Sequence, residues 1–293
     1  MTRSTKLASP GVAALEDLAR QARAHIVRTI ASAHGGHLGG PLSVIDMLIA
    51  LYFRVLNIKP EEPAWPDRDR LVLSKGHSSI ALYTALAMRG YFPIAELSTF
   101  DSINSRLQGH PDMTVTPGVD MSSGSLGLGF SGALGIALGA RAASKDFTTY
   151  AILGDGECNE GIVWEAAHVA PRHGIVNLVV LVDHNKLQQY GWRGDRQEHR
   201  LPPYTGTQLV DRWSAFGWRV LEMNGHDMAE ILATIEAAKA SRGAPVAIIA
   251  HTVKGKGVSF MENDYTWHAR VPNKEEAAAA LAELGEPTSE GGS

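Results

Sequence analysis

Four short apolar runs, at residues 149–153, 177–182, 218–223 and 245–250, constrain this chain most. Each is bounded by turn residues and too continuous in its hydrophobicity for a strand with one wet face. Such runs are the mark of parallel strands buried on both sides. Segments of helical period lie between them, at 159–172 and 228–241, and further helices are predicted at 11–33, 42–56 and 78–89. Alternation of this kind predicts an α/β chain: a doubly wound, mostly parallel sheet with helices on both faces. The chain has 293 residues, enough to bury one large core.

Charge and composition narrow the function classes. The net charge is −4 with 20% charged residues, and no Lys/Arg run supplies the phosphate attraction of a general nucleic-acid surface. The single cysteine, Cys158, excludes an internal disulfide and fits a reducing, cytoplasmic setting. The first residues lack the apolar core of a signal peptide. Residues 121–140 carry no charge and include Gly135 and Gly139 at GxxxG spacing. Their many glycines favour a buried helix in tight packing, including packing between subunits, over a membrane span. Residues 189–207 read as a long surface loop, and the last residues as a short helix followed by a flexible tail.

The sharpest local signal is Gly154-Asp155-Gly156 directly after a predicted strand, followed by 28 residues and then Asn185. With one helix between two strands, Asp155 and Asn185 both emerge at the carboxyl edge of the sheet, where ligands of such folds collect. Taken alone, these residues are better explained as a Gly-Asp-Gly tight turn and a turn asparagine.

The spacing resembles the thiamine-diphosphate motif, and the whole strand-helix-strand unit, with Glu160-Gly161 and Glu165-Ala166 inside it, is similar to that of the transketolase family. The resemblance extends over essentially the full chain: Gly36-His37 with Gly39-Gly40-Pro41-Leu42, Leu73-Ser74-Lys75-Gly76-His77, Gly109-His110-Pro111, Gly124-Ser125-Leu126-Gly127, His251-Thr252-Val253-Lys254-Gly255, and Trp267-His268. The Gln189-Tyr190-Gly191 turn departs from the family's acidic-glycine form.

The resemblance implies a thiamine-diphosphate-binding domain over residues 1–274, with 275–293 as the terminal helix and tail. It implies that Asp155, Asn185 and the Leu187 carbonyl hold a divalent cation, Mg2+ (or Ca2+ or Mn2+), together with diphosphate oxygens. Gly154 and Gly156 would admit the diphosphate, Gly124, Ser125 and Leu126 would lie against the cofactor, and Lys254 would neutralise phosphate charge. Glu160 is placed at a subunit contact. His37, His77, His110 and His268 would surround the reacting carbons, imidazoles being able to donate or accept near neutral pH. In that family a carbanion on the cofactor carries a two-carbon ketol unit from a ketose to an aldose, and a glutamate of a second, pyrimidine-binding domain activates it. The chain ends without such a domain, so a separate partner subunit in an α2β2 heterotetramer is expected. The α subunit of a 2-oxoacid dehydrogenase, a deoxyxylulose-phosphate synthase and a noncatalytic cofactor binder are the competing readings. Ordinary pentose phosphates, branched sugars and sulfonated sugars all remain open as substrates.

Overall fold

The computed structural model describes residues 10–189 and 205–286. Five parallel strands form one sheet: β1 (Arg70–Leu73), β2 (Thr149–Gly154), β3 (Leu178–His184), β4 (Arg219–Asn224) and β5 (Val246–His251), in the order β1-β2-β3-β5-β4. Register follows from buried side chains alternating between the faces. Tyr150, Ile152, Val179, Leu181 and Ile248 enter one core, while Ala151, Leu153, Val180, Val182 and Ile249 enter the other. β2 and β3 are buried at every position, which is why their sequences read as continuous apolar runs.

Helices cover both faces. The first core takes α1 (Val12–Ala33), α2 (Gly39–Ala50), α3 (Ser79–Arg89) and, following β4, α7 (Met228–Lys239). The second takes α4 (Leu128–Ala142), α5 (Gly161–Arg172) and α6 (Gly206–Ala215). The chain moves from β2 through α5 to β3 on one face and returns from β4 through α7 to β5 on the other. That reversal keeps the crossovers right-handed while the strand order changes direction. The last helix, α8 (Lys274–Glu283), opens with a capping box at Asn273 and Glu276 and packs on α1, with Ala277, Ala280 and the following Leu284 buried.

Several expectations need correction. The strand β1 has no counterpart among the predicted strands, because four residues preceded by Asp67, Arg68 and Asp69 give too short an apolar run. The helix expected over 42–56 begins at Gly39 and finishes in a π-helical turn, Leu51–Val55. The uncharged stretch 121–140 is not one buried helix: residues 121–127 form a loop, and α4 buries Phe130, Ala133, Leu134, Ala137 and Ala140 while Gly135 and Gly139 face open space. The loop expected over 189–207 lies mainly outside the described residues, and its last two residues already belong to α6. Tyr190, Gly191 and the tail after residue 286 also lie outside them. Among the described residues no helix is long and apolar enough to cross a membrane.

Candidate functional site

The ends of β1, β2, β3 and β5 open into a cavity of about 420 Å³ at the carboxyl edge of the sheet. Its floor is Gly154-Asp155-Gly156 beside Asn185 and Leu187. Parallel pairing of Gly154 with Asp183 brings the two strand ends level, so Asp155 and Asn185 share this edge as the spacing predicts. The Asp155 carboxylate accepts from the backbone N–H of Gly156 and of Lys186, each at 2.8 Å, and Asn185 Oδ1 accepts from Leu187 N at 3.1 Å. Burial, reinforced by the neighbouring charge of Asp183, pushes the Asp155 carboxyl up to about 6.

Carboxylate, amide oxygen and main-chain carbonyl are hard donors suited to Mg2+ or Ca2+, and poorly suited to thiophilic metals. The set is incomplete by itself and leaves positions for oxygens of a bound phosphate. Among the described residues no three His, Cys, Asp or Glu side chains converge as a self-sufficient metal site. The donor chemistry therefore fits a cation that arrives with an anionic cofactor.

Beneath the floor lies a pair that sequence reasoning does not single out. Lys75 Nζ meets Asp183 Oδ2 at 2.5 Å, both side chains being almost fully buried. Asp183 also accepts from Ser43 Oγ at 2.6 Å and from Thr252 Oγ1. Burial raises the Asp183 carboxyl, but Lys75 and these hydroxyls outweigh it and hold the group below its ordinary range. Lys75 is visible in the Ser-Lys-Gly-His run. Its partner lies 108 residues away and has no sequence signal.

Facing the floor stand three imidazoles. Ring centroids of His37 and His77 are 5.1 Å apart, of His37 and His268 5.1 Å, and of His77 and His268 5.2 Å. Each comes from a different segment. His37 follows α1, and Leu38 N donates to His268 O at 3.3 Å, stitching its loop to the residue opposite. His77 sits in a short turn after β1; a Cβ on Gly76 would come within 2.7 Å of backbone atoms of Ser123 and Gly124, so only glycine lets these two walls touch. His268 is held by its neighbour Trp267, which is buried and donates to Phe260 O at 3.2 Å. Burial pushes His37 down to about 4, helped by the nearby charges of His110 and Lys254. Burial and then Lys254 push His268 down to about 3. His77 is also held well below its ordinary value by burial and Lys75. All three are neutral near pH 7.

Lys254 enters from the loop after β5. Its ammonium donates to Leu187 O and to His268 Nδ1, each at 2.9 Å, so the hydrogen of His268 resides on Nε2. Burial and the charge of Lys75 push Lys254 down to about 8. No sequence feature foretells its position over the Leu187 carbonyl.

Of the predicted residues, His37, His77, Gly124, Leu126, Gly154, Asp155, Gly156, Glu160, Asn185, Leu187, Lys254 and His268 border the cavity. His110 and Ser125 do not: both are exposed, and the His110 ring stands 6.4 Å from that of His37, outside the triangle. Gly40, Lys75, Glu157, Asn159 and Gln188 border the cavity without being among the sequence candidates.

Residues 15–290 match the family model described as transketolase, thiamine diphosphate binding domain. A 6-deoxy-6-sulfo-D-fructose transketolase subunit of Clostridium sp. (strain MSTE9) is 46% identical over 249 residues, covering 85% of this chain and 88% of that protein. An apulose-4-phosphate transketolase subunit of Phocaeicola vulgatus is 38% identical over 275 residues, covering 94% of this chain and 95% of that protein. Among solved structures, the transketolase of Campylobacter jejuni superposes with a TM-score of 0.86 at 31% identity over 96% of this chain and 44% of that one. This chain thus spans less than half of the solved transketolase polypeptide, but nearly the whole of the relatives described as subunits.

Proposed function

Because this chain belongs to the transketolase family and matches its thiamine-diphosphate-binding domain, we propose that it is one subunit of a two-chain transketolase that moves a two-carbon ketol unit from a ketose to an aldose. One observation carries the reading: an oxygen-donor floor for a metal diphosphate lies in one cavity with three neutral imidazoles. A passive cofactor binder has no use for the imidazoles. A phosphate site alone would not bring them together from three segments.

In this reading Asp155, Asn185 and the Leu187 carbonyl would hold Mg2+, and Lys75 and Lys254 offset part of the buried negative charge. Thiamine diphosphate, when bound, would supply the nucleophilic carbon that ketol transfer needs. His268, its Nε2–H directed by Lys254 on the other ring nitrogen, donates to a substrate oxygen. His37 and His77, both neutral, accept or donate hydrogen bonds to sugar hydroxyls, and His110 at the rim meets the longer end of a sugar. Placement of these groups before substrate arrives is what lowers the barrier.

A partner chain is inferred from the relatives of matching length, which are themselves described as subunits. It would bring the pyrimidine-binding half and the activating glutamate, and an α2β2 assembly with Glu160 at the contact suits the family's pattern. The relatives are named for 6-deoxy-6-sulfo-D-fructose and for apulose-4-phosphate, so these two donors head the panel to be tried with this chain. The test is ketol transfer by the chain mixed with its cognate pyrimidine-domain partner, Mg2+ and thiamine diphosphate. Transfer from one of the ketoses supports the reading, whereas turnover of pyruvate instead of every ketose would overturn it.

A further inference from the structure

Glu157 is 2% exposed and reaches three different segments with one carboxylate. Oε1 accepts from Gly127 N at 2.7 Å, at the start of α4, and from the Ser74 hydroxyl, at the end of β1. Oε2 accepts from Gly154 N at 3.1 Å, at the end of β2. Ser74 Oγ in turn accepts from Phe130 N at 2.9 Å, so the link extends into the first turn of α4. Each segment delivers part of the cavity wall: Lys75 and His77 follow Ser74, Gly124 and Leu126 precede Gly127, and Asp155 follows Gly154.

We infer that Glu157 is a positioning residue, whose carboxylate fixes the β1 turn, the loop before α4 and the β2 turn in one frame and so sets where Asp155 stands relative to His77 and the Gly124–Leu126 wall. The inference rests on the cavity being the thiamine-diphosphate site. A carboxylate suits the place because all three partners donate, and it offers acceptors on both oxygens. A glutamine cannot match it. In either orientation its NH2 confronts a backbone N–H, of Gly127 or of Gly154, leaving a buried donor without an acceptor. An aspartate is one methylene too short to span the three. Other contacts clamp the same turn from the far side, Asn159 Nδ2 donating to Gln188 Oε1 at 2.8 Å, so loss of Glu157 releases one side of the frame and leaves the other.

The test measures thiamine diphosphate affinity by calorimetry with Mg2+ present, on the full chain paired with its pyrimidine-domain partner, alongside the melting temperature without cofactor. Glu157→Gln is expected to weaken cofactor binding about 10-fold and Glu157→Ala about 100-fold, the range found when groups that orient metal ligands are removed. Because Glu157 acts through Asp155, the glutamine change should cost distinctly less in an Asp155→Asn background. Variants that melt earlier yet bind the cofactor as the parent does would make Glu157 a residue of the fold alone and overturn the inference. Should the alanine variant not fold, the glutamine variant decides. A parent complex that takes up no cofactor at all would instead overturn the reading of the cavity, and the inference with it.

Discussion

Each imidazole of the triangle is depressed by its surroundings, and this has a thermodynamic consequence at the level of single residues. A histidine with a folded pKa below its unfolded value of about 6.5 binds protons more readily in the unfolded chain. Its contribution to stability is therefore complete above pH 6.5 and is lost as the pH falls towards about 4 for His37 and about 3 for His268. Urea unfolding at pH 7 and pH 5 is expected to show the parent losing more stability than His37→Gln across that interval. Equal losses would mean that His37 is not desolvated as the structure has it. The Lys75 and Asp183 pair makes a second residue-scale prediction. Lys75→Met strands the Asp183 carboxylate in the interior with no cation, and breaking a buried pair from one side costs about 3–5 kcal/mol. Chemical denaturation should register a loss of that size, and a loss under about 1 kcal/mol, the range of an exposed pair, would contradict the burial.

Between elements, a close approach occurs where α4 passes β1. A Cβ on Gly129 would come within 2.6 Å of Ser74 Cα, a backbone atom that cannot rotate away. Gly129→Ala must therefore push the helix from the strand, an overpacking cost of about 1–3 kcal/mol. It should also disturb the Ser74 bond to Phe130 N, which thermal melting together with cofactor titration would reveal. Gly135→Ala, on the open face of the same helix, should show no such penalty in this chain. The contrast marks how much can be read from sequence. β2, β3 and the two site residues at their ends are legible because an apolar run bounded by turn residues fixes a buried strand, and neighbouring parallel strands put their ends together. β1 is hidden by its four-residue length. The faces of α4 are hidden because glycine gives no period, and only packing shows that Gly129 is buried while Gly135 is open. The triangle of His37, His77 and His268 can be named only through family likeness, since nothing in the local sequence brings those three segments together. Lys75 with Asp183, and Glu157 with Ser74, are illegible for the same reason: their partners stand 108 and 83 residues apart.

At the scale of the whole molecule, the sheet directs its strand ends and their loops into one cavity whose charge does not balance. Among the described residues, Asp155, Asp183 and Glu157 are buried there with only Lys75 and Lys254 as buried cations. If all five are ionised, the enclosed charge is negative, and a diphosphate entering alone meets repulsion in a medium that screens it poorly. A divalent cation held by Asp155 and Asn185, as proposed, would reverse the sign and make the same cavity attractive. Cofactor and metal should therefore stabilise the fold together and not separately. With thiamine diphosphate and Mg2+ both at about 100-fold over the apparent Kd, linkage gives about 2.7 kcal/mol. For a chain of this size that is a rise of roughly 5 °C in Tm. Thiamine diphosphate with a chelator should give almost none of that rise, and so should Asp155→Asn with both components present. A rise of equal size under chelation would show that the lysines alone carry the diphosphate, and that the oxygen-donor floor serves some other purpose.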